Sequence, residues 1–135
     1  MIDVPMHIRY PVRMTSPARF QVIDFADIPG VACPCGTARR AFADDPTYSG
    51  TVHRTDITHA ALPHYHKTLT ELYYIISCEP GTVMQIDNEQ IPLHAEMLIL
   101  IPPDTVHRVI GTAKVLISVT PKFDPNDEFV LHNHS

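Results

Sequence analysis

The chain reads as an all-β domain, and three observations carry that reading. Thirteen prolines among 135 residues cut the sequence into short runs. Those runs are rich in β-branched and aromatic residues, which suit a pleated, half-buried surface. The connections between them, such as Glu79-Pro80-Gly81 and Asp87-Asn88-Glu89, carry turn chemistry. In chain order, residues 1 to 20 are Pro-rich with scattered apolar positions, which predicts an extended arm or edge strand on this barrel or a neighbour's. Gln21 to Phe25 is the first expected strand. The Ala/Arg-rich stretch Thr37 to Phe42 is expected to form a helical turn or two. Strands are then predicted at Thr51 to Thr58, Leu69 to Ser77, Thr82 to Ile86, Met97 to Leu100, His107 to Ile110 and Lys114 to Thr120. The organisation expected is an N-terminal arm and cover segment (1–50), a barrel (51–125) and a C-terminal surface tail (126–135). No internal repeat is visible.

A length of 135 residues suits one core rather than two. Hydrophobic residues make up 44% and charged residues 19%, the balance of an ordinary globular protein. Ten basic and fifteen acidic residues leave a net charge of −5, with no basic cluster beyond Arg39-Arg40. Nucleic acid is therefore not an expected partner. The longest clean apolar run, Met97 to Ile101, is far short of a membrane span, and Met1-Ile2-Asp3-Val4-Pro5 does not begin like a secretory signal. No membrane partner is expected, and the cytoplasm is the expected compartment. Three cysteines do not make a disulfide framework. Cys33-Pro34-Cys35 can bind a soft metal or respond to oxidant, but one Cys-x-Cys is half a zinc site, so reduced structural thiols are expected.

The chemistry concentrates in His64-Tyr65-His66-Lys67-Thr68-Leu69-Thr70-Glu71 and in His107, which follows Pro102-Pro103-Asp104. On a strand, residues two apart share a face, so His64 and His66 aim both imidazoles at one point. Glu71 opens the apolar run Leu72 to Ile76, where an unpaired carboxylate is costly to bury. Three imidazoles and one carboxylate suit a borderline divalent ion, Fe, Mn, Ni or Zn, and leave coordination positions open for substrate or water. One such ion per chain is expected.

The pattern His-x-His-x4-Glu followed by Pro-Pro-Asp-x-x-His resembles the two motifs of the cupin superfamily, over about residues 51 to 122. The resemblance implies a double-stranded β-helix (jelly-roll) barrel. It implies His64, His66, Glu71 and His107 as metal ligands and a homodimer built through the barrels. Thr58, Cys78, Glu96, Asp104 and Gly111 stand where the family pattern prefers Gly, Gly, Gly, Gly and Asn, so local turn shapes are expected to differ.

Around the ion, parity puts Tyr73 and Ile75 on the face of Glu71 and puts Val109 on that of His107. Tyr73 and His53 are the candidate catalytic groups, Tyr73 as a pocket phenol and His53 as a donor or base if its strand faces inward. Met84, with Ile86, is expected to line the cavity as apolar surface. Arg39 and Arg40 are candidates to clamp a substrate carboxylate or phosphate. His59 is expected to be structural or exposed, and the two His of the C-terminal tail, which can pick up stray metal, are expected to lie in a disordered segment. Two functional classes follow: a metalloenzyme of dioxygenase, isomerase or decarboxylase type acting on a small oxygenated molecule, or a non-catalytic metal-dependent binding or sensor module.

Overall fold

The computed structural model describes residues 19–58 and 61–132. His59, His134 and all but the last two residues of the N-terminal arm lie outside them. Among the described residues, eleven strands form two antiparallel sheets: β1 (Val31–Cys33), β2 (Gly36–Ala41), β3 (Thr51–Ile57), β4 (His64–Tyr65), β5 (Thr70–Cys78), β6 (Val83–Ile86), β7 (Glu89–Pro92), β8 (Leu98–Ile101), β9 (His107–Ile110), β10 (Ala113–Thr120) and β11 (Phe129–Val130). The larger sheet runs β1-β2-β3-β10-β5-β8 and the smaller β11-β4-β9-β6-β7.

Alternation explains how the large sheet closes over a core. In β3, Thr51, His53, Thr55 and Ile57 point inward; in β10, Ala113, Val115, Ile117 and Val119 do; in β5, Glu71, Tyr73 and Ile75 do. Met84 and Val109 face each other across β6 and β9, and both are buried in that core.

Two local expectations are corrected. Thr37 to Phe42 is not helical: β2 pairs with β3 so that Ala38 lies opposite Thr55 and Arg40 opposite His53. A seven-residue partner with free ladder groups outweighs the helix preference of Ala and Arg. Gln21 to Phe25 is not a strand, because Val22 and Ile23 stay exposed and find no sheet to join. Asp24 instead caps a short 3-10 turn, Phe25–Asp27, by accepting from the Ala26 N–H. The two-residue strand β11 pairs with β4, bringing the segment 125–130 against the first histidine. Glu96 and Asp104, which replace family glycines, keep the left-handed backbone, with φ of 76° and 62°. No helix among the described residues is long and apolar enough to cross a membrane.

Candidate metal centre

The centre spans the two layers. Glu71 comes from β5 of the large sheet, whereas His64, its neighbour His66 and His107 come from the small sheet and its β4 continuation. His64 lies directly opposite His107 in the β4–β9 pair, which is why the two rings sit 4.4 Å apart. His66 is placed by the turn after β4, where its carbonyl accepts from the Asp104 N–H at 2.6 Å. All four residues are buried, and one donor atom from each lies within 4.8 Å of the others.

The tautomers are fixed by the backbone. Nδ1 of His64 donates to the Leu62 carbonyl (3.1 Å), Nδ1 of His66 to that of Asp127 (2.8 Å), and Nδ1 of His107 to that of Thr105 (2.8 Å). A carbonyl only accepts, so each Nδ1 carries a proton, and the Nε2 of each ring is the atom turned inward. Glu71 Oε1 stands 3.1 Å from His66 Nε2 and 3.0 Å from His107 Nε2, and these three atoms have no hydrogen-bond partner although fully buried. Lone pairs facing one another in a dry interior repel unless a cation or a proton lies between them. The separations match the ~3 Å edge spanned by two ligands at right angles on bonds of about 2.1 Å. The donor set therefore fits a divalent first-row ion, with the Nδ1–carbonyl contacts as its orienting outer layer.

The electrostatics differ between the rings. Burial pushes the Glu71 carboxyl up, but His107 and His66 beside it hold it well below the usual carboxylate range. Burial and the neighbouring His107 lower His64 to about 4, so it is neutral near pH 7, as a ligand must be. Burial pulls His66 down as well, yet Glu71 and the Asp127 carbonyl leave it raised.

The remaining candidates divide by face. Tyr73 is buried, its ring edge-on to His107 at 5.8 Å, and burial with the nearby Glu71 charge raises its phenol well above the usual value. His53 is buried with Nε2 3.0 Å from Thr51 Oγ1 and its ring against Phe123; burial, then Arg40, lowers it to about 4. Arg40 lies beside it, stacked over Phe123 at 4.2 Å, and its Nε is buried without a partner. Arg39 points the other way, donating to the Ile28 carbonyl at 2.7 Å and lining an outer groove with Phe25, Arg54 and Lys114. It is not brought to the centre. Met84 is fully buried in the core behind it.

Two residues escape sequence reasoning. Asp127 accepts from the N–H groups of Lys67, Thr68 and Leu69 at 2.8, 3.0 and 3.1 Å, pinning the loop between His66 and Glu71. Glu128 follows it, half-buried, its carboxyl raised by burial and acted on by His66, Arg40, Glu71 and His107. The only local signal is the turn sequence Asp124-Pro125-Asn126 ahead of Phe129-Val130.

Residues 50–119 match the family model described as a cupin domain. This chain is a cupin. A crystal structure of a protein from Planctomyces limnophilus is 40% identical, aligning over 83% of this chain and 97% of that one with a TM-score of 0.79. The Streptomyces nucleoside dehydratase Pac13 shares the fold at 22% identity, over 83% and 91% of the two chains, TM-score 0.69. Ectoine synthase from P. lautus does so at 14%, over 86% and 96%, TM-score 0.67. No curated protein matches the chain.

Proposed function

We propose that this cupin is a metal-dependent enzyme acting on a small oxygenated organic anion, with proton-transfer chemistry of the isomerase or lyase type, decarboxylation included. The observation that carries the proposal is the set of buried, unpartnered lone pairs on His66 Nε2, His107 Nε2 and Glu71 Oε1. When bound there, a divalent ion supplies Lewis-acid polarisation of a substrate oxygen. The protein's own groups supply the rest. Arg40, with an unpaired Nε and a ring beneath it, holds a substrate carboxylate or phosphate. His53, neutral because its pKa is lowered to about 4, accepts a proton at the nitrogen facing Thr51. Glu128, whose pKa is raised, returns one. Tyr73 stays protonated and offers its hydroxyl as a hydrogen-bond donor.

Acid and base groups around the centre favour proton transfer over dioxygenase chemistry, which needs little from such groups. Two fold neighbours are likewise named for enzymes, a nucleoside dehydratase and ectoine synthase. Elemental analysis of the purified protein, followed by turnover of hydroxy- and oxo-acids and sugar acids with Fe(II), Mn(II), Ni(II) or Zn(II), tests the reading. About one ion per chain and metal-dependent conversion under nitrogen are expected. Conversion that requires dioxygen would replace the proton-transfer reading with the oxygenase one, and metal-dependent binding without turnover would leave the binding module.

The same reading includes a homodimer. Among the described residues, Leu72, Tyr74 and Ile76 on β5 and Leu98 and Leu100 on β8 form an exposed apolar face, and β8 is an edge strand. A second copy covering this face closes both the patch and the open edge.

A further inference from the structure

We infer that Cys33 and Cys35 form a redox-active dithiol that exchanges two electrons with low-molecular-weight disulfides of the glutathione class. The pair sits at the β1–β2 hairpin, outside the set of four converging donors, and the reaction proposed above does not use it. Its geometry is built by the hairpin. Cys33 lies opposite Gly36, so the chain reverses within four residues. Gly36 has φ of 147°, and a Cβ there would collide with the Asp56 carbonyl. Pro34 stiffens the reversal. The turn is also tied to the barrel, because the Pro34 carbonyl accepts from Leu62 N–H at 2.9 Å and the Cys35 carbonyl from Thr58 N–H at 3.1 Å. The two Sγ atoms are thereby held 2.8 Å apart, and both thiols are free.

The two sulfurs differ in environment, as an attacking and a resolving thiol must. Cys33 is half-buried; Cys35 lies in the apolar core. The thiol–thiol contact with Cys35, the N–H groups of Cys35 and Gly36 and the Arg40 charge together outweigh burial and bring Cys33 to about 7. The same contact and burial push Cys35 well up.

The chemistry balances. The Cys33 thiolate attacks one sulfur of a disulfide RSSR, forming a Cys33–SR mixed disulfide and expelling RS⁻. Cys35 then loses its proton to solvent and attacks Cys33 Sγ, expelling a second RS⁻. Two protein thiols become one disulfide, and RSSR becomes two RSH once protonated.

The test uses the full chain equilibrated in reduced and oxidised glutathione, acid-quenched, alkylated and mass-mapped. The expected result is loss of two hydrogens confined to a Cys33–Cys35 disulfide that dithiothreitol reverses. Cys78, whose thiol donates to the Leu93 carbonyl, should remain alkylatable and serves as the internal reference. Cys35→Ser should trap glutathione on Cys33, whereas Cys33→Ser should abolish the reaction at this site. At pH 7 the initial alkylation rate of Cys33 should exceed that of an ordinary thiol about fivefold, the gain in thiolate fraction being partly offset by lower nucleophilicity. An oxidised protein in which both thiols still alkylate overturns the inference. So does a Cys33→Ser protein that reacts as fast as the parent, or a stable glutathione adduct on the parent that Cys35 never displaces.

Discussion

Replacing His107 with alanine removes one of four inward-facing donors at a position only 1% exposed. Loss of an orienting partner behind a ligand costs about 10–100-fold in metal affinity, so loss of a ligand itself should cost at least ~100-fold. With the ion supplied at about 100 times the parent's Kd, binding stabilises the fold by about 2.7 kcal/mol. At the same concentration the variant sits at its own Kd and gains only ~0.4 kcal/mol. For a domain of this size ~1 kcal/mol moves Tm by about 3 °C, so the metal-induced rise should fall from about 8 °C to about 1 °C. Without metal, the missing ring leaves a small void worth about 1–2 kcal/mol, which the barrel should survive. Differential scanning fluorimetry with and without chelator, beside elemental analysis and His94→Ala at an exposed site as control, measures all of this. A His107→Ala protein with the parent's metal content and the parent's Tm rise would refute the argument from converging lone pairs.

Asp127→Ala frees the loop before Glu71 and loosens the segment whose carbonyl orients His66; a roughly 10–100-fold weaker Kd for the ion, by competition with a chelating dye, is expected. Arg40→Ala should weaken binding of small carboxylates by about 10–100-fold in titration calorimetry while leaving the metal content unchanged. For pH, the unfolded chain protonates His53 near 6.5 and the folded chain only near 4, so the stability it contributes is complete above about 6.5 and is lost as pH falls toward 4. That gap corresponds to about 3 kcal/mol, and chelator-treated His53→Gln should lose less stability than the parent between pH 7 and pH 4 by roughly that amount in urea melts. Leu98→Glu should turn a dimer into a monomer in sedimentation at micromolar concentration, and an unchanged mass would move the contact elsewhere.

The convergence of His64, His66, Glu71 and His107 was legible because strand parity and a carboxylate heading an apolar run are purely local facts. The sheets were legible for the same reason, as β3, β5, β9 and β10 show. Arg39 and Arg40 were not separable in sequence, since their opposite faces depend on β2 being a strand, and Ala/Arg content argued for a helix. Only pairing with β3 decides it. Asp127 and Glu128 were invisible because they meet His66 and Leu69 across some sixty positions, as the 61-residue separation of the His66–Asp127 contact shows. The carbonyls that choose each imidazole's tautomer are likewise a product of the folded backbone.

The centre takes its carboxylate from one layer of the barrel and its imidazoles from the other, and β4 joins β9 through the single register pair His64–His107. An ion held there would act as a rivet between the layers. The metal-free chain should accordingly gape first at this seam, exchanging its β4 and β9 amide hydrogens and admitting proteases sooner than the rest of the barrel. Loading the centre with an ion would then lengthen the lifetime of the chain against protease.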